Sequence, residues 1–170
     1  MLLQRIAAWA FIAALSVMPA VAATDPGPDN AELAQPSFTA EPVFRELNLL
    51  GNWALDCNAP ASPRNPHVAT TAPGDGRVFE THDVGTEYAA NLYHFVAARR
   101  IDKDSVEAQA LFRPGGEGEE AQTLVMRIAR DAKGTDTRRT IYNRGDDGVR
   151  VKNGVALRSG LKTPVLKRCS

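Results

Sequence analysis

From Gly51 to Cys169 the chain never runs far without a turn. Pro60, Pro63 and Pro66 hold one stretch as a stiff, irregular loop, because each fixes φ and removes a ladder donor. Pro73-Gly74-Asp75-Gly76, Pro114-Gly115-Gly116, Lys133-Gly134-Thr135-Asp136, Asp146-Asp147-Gly148 and Asn153-Gly154 cut the remainder. Between the cuts stand short runs of strand character. Trp53, Leu55 and Cys57 alternate with Asn52, Ala54 and Asp56, and Val106, Ala108, Ala110 and Phe112 alternate with Glu107, Gln109, Leu111 and Arg113. Further runs are 67–71, 77–82, 91–99, 122–130, 137–143, 148–152, 155–158 and 165–169. Asn153-Gly154 between Val149-Arg150-Val151 and Val155-Ala156-Leu157 is the signature of a type I′ hairpin.

Strands joined by turns, with no crossover helices between them, predict an all-β fold: an antiparallel up-and-down meander. Closure into a small barrel would remove the exposed sheet edges. A β-sandwich is the rival architecture. A helix over Glu87 to Arg100, where Tyr88, Leu92, Phe95, Val96 and Arg99 also suit helical spacing, would make the fold α+β. We read that segment as strand.

The N-terminus is expected to be a cleavable signal peptide over residues 1–23. Arg5 supplies its positive charge, the apolar run Ile6 to Val17 follows, Pro19 ends the helix that run would form, and Ala20-Val21-Ala22 offers small residues for cleavage. The apolar stretch is shorter than the ~20 residues a bilayer-spanning helix needs, so no membrane anchor is expected. The mature protein is expected to be periplasmic or secreted. Residues 24–41, rich in Pro, Ala and small polar residues, read as a disordered linker. Residues 42–170 then form one domain, opening with a short helix whose Val43, Phe44, Leu47 and Leu50 face a core and which Gly51 ends.

The chain holds two cysteines, Cys57 and Cys169. In an exported protein they are expected to pair, tying the first strand to the last. Charge points away from polyanionic partners. Lys and Arg number 20 against 20 Asp and Glu, and the two signs interleave, as in Arg99-Arg100-Ile101-Asp102-Lys103-Asp104. Neither nucleic acid nor an anionic membrane surface is an expected partner.

A short helix leading into Gly51-Asn52-Trp53 at the first strand resembles the Gly-x-Trp opening of lipocalin-type (calycin) β-barrels. The resemblance implies that Trp53 plugs the closed end of a barrel beneath a basic side chain near the last strand, Arg168 or else Arg158. A cation–π contact of ~0.5–2 kcal/mol would join them. The segment Gly51 to His67 also resembles small exported proteins of bacteria, which implies nothing about activity.

No catalytic spacing emerges from the sequence. His67, His82 and His94 lack metal-binding partners at i,i+2 or i,i+4, and His82 and Asp83 would point to opposite faces of a strand. No serine sits in a nucleophile elbow, and Glu117-Gly118-Glu119-Glu120 lacks the alternating order of a calcium loop. We therefore expect no enzyme, no metal and no cofactor. Two readings stand. One is a carrier for a small apolar ligand, lined by Tyr88, Tyr93, Phe95 and Phe112, residues that would equally fill a packed core. The other is a protein-binding module of the envelope, an inhibitor or assembly factor, whose contact surface is the Pro60–Pro66 loop or the arm over residues 24–41.

Overall fold

A computed structural model describes residues 39–169. The expected signal peptide, and the expected linker as far as residue 38, lie outside the described residues. The structure opens with helix α1 (Ala40–Glu46), followed by β1 (Gly51–Ala54), β2 (His67–Thr71), β3 (Val78–Asp83), β4 (Asn91–Asp102) and β5 (Ser105–Phe112). Then come β6 (Glu120–Arg130), β7 (Asp136–Gly145), β8 (Gly148–Lys152), β9 (Val155–Ala156) and β10 (Leu166–Arg168).

Every sequential strand pair from β1 to β9 is antiparallel, and β10 lies between β1 and β7. The result is a closed eight-stranded antiparallel barrel made of β1 to β7 and β10, with one short helix. The segment 91–102 is strand, so the α+β alternative falls. The edge of β7 is shared. Its Thr137 and Arg138 pair with Lys167 and Leu166 of β10, while Asn143 to Gly145 pair with β8. The β8–β9 hairpin therefore extends from the barrel wall as a flap. Its Asn153 and Gly154 both take positive φ, 52° and 70°, as a type I′ turn requires.

Alternation puts one face of each strand inside. Val78, Phe95, Val106, Ala108, Ala110, Leu124 and Met126 form the main buried cluster, and Ala40, Phe44 and Leu49 pack on it. Phe44 of α1 meets Phe95 of β4 with ring centroids 4.9 Å apart, so the helix stoppers one end of the barrel. Glu41 anchors it: its backbone N–H donates to the Gly76 carbonyl at 3.0 Å, and its carboxylate accepts from the Gly76 N–H at 2.9 Å. Register breaks at Phe95/Ala97 and Val125/Met126 are bulges that help the sheet curl.

Several strand ends shift by a few residues from the sequence reading, and three boundary differences have a visible cause. The helix begins at Ala40, inside the predicted linker, because Ala40 is fully buried against the core and Glu41 is tied down. It stops at Glu46, well before Gly51, since Asn48 takes φ 54° and turns the chain. Strand β1 ends at Ala54. Leu55, expected to continue the alternation, is exposed, because the Asp56 side chain accepts from the Asn58 N–H and leads the chain away from the sheet.

Candidate functional site

The inward face of β3 carries an unexpected residue. Glu80 lies between Val78 and His82 on that face, buried in the barrel. It accepts from Thr70 Oγ1 at 2.8 Å, from the Arg138 guanidinium at 2.7 Å and from His82 Nε2 at 2.6 Å. Burial pushes its carboxyl up, but the Arg138 charge and the bonds from His82 and Thr70 outweigh that and hold it below the usual carboxylate range. Arg138 also lies over the Trp53 ring, 4.9 Å from its centroid, and Arg168 covers the ring at 4.4 Å. The indole N–H donates to the Leu49 carbonyl at 3.1 Å. Arg168 in turn donates to the carbonyls of Leu50, at 2.7 Å, and Asn48. Gly51 makes room for it: at φ 113°, a Cβ there would lie 2.9 Å from the Arg168 guanidinium. Arg158, the alternative cover for Trp53, sits exposed in the turn after β9.

Beside this ionic cluster is a cavity of about 80 Å³, lined by Pro66, Val68, Glu80, His82, Met126, Arg138, Arg139, Thr140, Pro164 and Leu166. An apolar ligand site of ordinary size needs ~300 Å³ or more. The four residues predicted to line a ligand site do not come together there. Tyr88 is 57% exposed on the loop between β3 and β4, because β4 begins only at Asn91, so its place in the barrel interior is a correction to the sequence reading. Phe95 is sealed in the core beneath α1. Tyr93 and Phe112 are partly buried, their rings 5.1 Å apart, and His82 packs on Tyr93 at 5.0 Å. Burial, then the Glu80 charge, pushes the Tyr93 phenol up to about 12. These rings pack on one another, and of the four predicted residues none borders the cavity, which only His82 of this cluster reaches.

Cys57 and Cys169 are joined by a disulfide across 112 positions of sequence, with Cα atoms 5.6 Å apart. The Cys169 N–H donates to the Asn52 carbonyl at 2.8 Å, so the bridge continues the β1–β10 pairing. It also roots the proline loop, which is densely bonded. Asn65 Oδ1 accepts from the Asp56 N–H at 2.9 Å, and its amide donates to the carbonyls of Asp56 at 3.0 Å, Ala59 at 3.2 Å and Pro60 at 3.2 Å. His67 bonds the Ala59 carbonyl at 2.9 Å. Ser62 and Asn65 exchange backbone bonds of 3.1 and 3.0 Å, leaving Pro63 and Arg64 as the exposed tip. Arg64 has no ion pair among the described residues.

The remaining histidine, His94, stacks on Phe79 at 4.7 Å. Among the described residues no three His, Cys, Asp or Glu side chains converge as metal ligands, and no helix is long and apolar enough to cross a membrane. Sequence reasoning missed Glu80, Arg138 and Asn65. For Glu80 a signal existed: Val78-x-Glu80-x-His82 places an acid and an imidazole on the inward face of one strand. Nothing local marked Arg138, which reaches Glu80 from 58 positions away. No family model, no curated protein and no solved structure matches the chain.

Proposed function

We propose that the protein is an exported, non-catalytic module that binds a partner protein of the envelope, presenting the Pro60–Pro66 loop as its contact element. The observation that carries this reading is the bonding of that loop. A single asparagine side chain closes it with four hydrogen bonds to the backbone of Asp56, Ala59 and Pro60, and a disulfide fixes its root to β10. An exposed loop held this firmly loses little conformational entropy when a partner docks, which favours binding. Its tip offers Arg64, a residue type that often dominates interface energetics. The filled interior supports the same choice, since about 80 Å³ beside a buried ion pair suits ordered water better than an apolar cargo. A disulfide in a chain of this kind fits an oxidising compartment.

The test is site-specific photo-crosslinking in the producing cell, with the photoreactive residue at position 64 or, as control, at Lys133 in the β6–β7 turn. A discrete protein adduct from position 64 alone is the expected result. Identical adduct patterns from both positions, or none from either, would refute the reading. Native mass spectrometry of the purified protein probes the rival: a retained small molecule would favour the carrier.

A further inference from the structure

Local mixing of charges conceals a segregation that the fold makes spatial. Residues 39–121 carry 7 Lys and Arg against 13 Asp and Glu, whereas residues 122–169 carry 12 against 4. The second group lies on β6, β7, the β8–β9 flap and β10, which are neighbours in the sheet. The positive excess therefore falls on one side of the barrel. Several of these cations are already engaged: Arg138 by Glu80, Arg150 by Glu120 and Asp147, Arg130 by Asp136.

Three arginines remain on the outer face of β6 and β7. Arg127 and Arg139 are register partners, and Arg144 sits further along β7 opposite Thr123. Arg127 and Arg144 are exposed and form no ion pair among the described residues. Arg139 donates to neutral acceptors, Thr163 Oγ1 at 2.9 Å and the Gly154 carbonyl, and its charge has no counter-ion among the described residues. Two acids stand close by: Glu107, which lines the groove beside Arg144 and pairs with Arg99 at 2.6 Å, and Asp102, within electrostatic reach of Arg127. Two open grooves share Ile141 and Asn153 on this face. One, of about 290 Å³, runs beside Arg127, Arg139 and Val165, and the other, of about 470 Å³, beside Val125, Tyr142 and Arg144.

We propose that this face docks an acidic, extended segment of a partner polypeptide whose surface-facing positions, every second residue, are taken in turn by carboxylate and apolar side chains. Guanidinium groups match carboxylates in bidentate geometry, and they border grooves whose lining includes Val125, Ala129, Ile141 and Val165. That lining is what selects a polypeptide. A phosphodiester strand would call for a row of aromatic platforms, and Tyr142 is the one aromatic ring in these grooves. The proposal stands on residues other than those of the proline loop, so either surface can fail alone.

The test uses fluorescence anisotropy of the full mature chain with three labelled probes. They are a ten-residue Glu–Val peptide, in which Glu and Val take turns at every second position with Ser between them, the same peptide with Gly in place of Val, and a ten-nucleotide oligothymidylate. The Glu–Val peptide should bind at least about tenfold more tightly than either of the others, with affinity falling as salt rises. Arg127→Glu with Arg144→Glu should weaken it by about tenfold or more, while Lys133→Glu and Arg64→Glu leave it within about twofold. The milder pair Arg127→Gln and Arg144→Gln, checked for an unchanged circular dichroism melt, should shift it in the same direction. Failure of the Glu–Val peptide to bind overturns the proposal. So does equal binding of all three probes, which would mark a general polyanion surface. Self-association lost on charge reversal would also overturn it, making a second copy the occupant.

Discussion

Glu80 is the residue whose surroundings decide most. It is a carboxylate inside a barrel, tolerable because Arg138, His82 and Thr70 all donate to it. Its folded-state pKa is lowered, so the stability it contributes is fully present above the ordinary glutamate value of 4.5 and is lost as pH falls below that value. Glu80→Gln keeps the shape but leaves Arg138 buried without its counter-charge, which should cost about 3 kcal/mol or more near neutrality. Because the wild type loses that advantage on acidification, the gap between the two melting temperatures should narrow as pH falls from about 5 to 3. Melts followed by circular dichroism across that range check both points, and a gap independent of pH would sink the account. At this scale the sequence was legible where a residue acts through its neighbours. It was silent on Arg138, which reaches Glu80 from 58 positions away with no motif or cysteine count to join them. Trp53 and Arg168, named from the Gly-x-Trp pattern, do stack at 4.4 Å.

At the scale of elements, period and turn chemistry carried nearly everything. β2 spans the predicted residues, β5 and β6 lie within a residue or two of theirs, and Asn153-Gly154 turns as its composition demands. Errors came at ends, where tertiary contacts override local pattern. Leu55 keeps the strand alternation and still leaves the sheet, because Asp56 and Asn65 build a loop there instead. That loop depends on one side chain, so Asn65→Ala should strip its bonds to Asp56, Ala59 and Pro60. The cost in global stability should be about 1–3 kcal/mol. Limited proteolysis should then cut within residues 58–65 much faster than in the wild type, and an unchanged cleavage rate would show that the prolines alone keep the loop rigid.

For the whole molecule, closure rests on a very short strand. β10 pairs through only a few residues with β1 and β7, and the disulfide backs it. Linking positions 112 apart should, by loop-closure entropy, contribute about 4–5 kcal/mol. Cys57→Ser with Cys169→Ser should lose most of that in urea unfolding. Hydrogen exchange should rise first at residues 51–54, 137–138 and 166–168, while β4 to β6 stay protected. Uniform loosening would mean the seam is not the weak point. Barrel and staple were both foreseeable from turns and two cysteines, but the charged side was not, because its cations are scattered along β6 to β10 and only pairing order gathers them.

The position of β10 also has a consequence for biogenesis. Residues 51–54 wait for residues 166–168 before the ring can shut, so a ribosome still holding residues 166–168 holds an unfinished sheet. Synthesis runs from residue 51 towards residue 168, so this topology postpones closure of the sheet until residues 166–168 are free to pair.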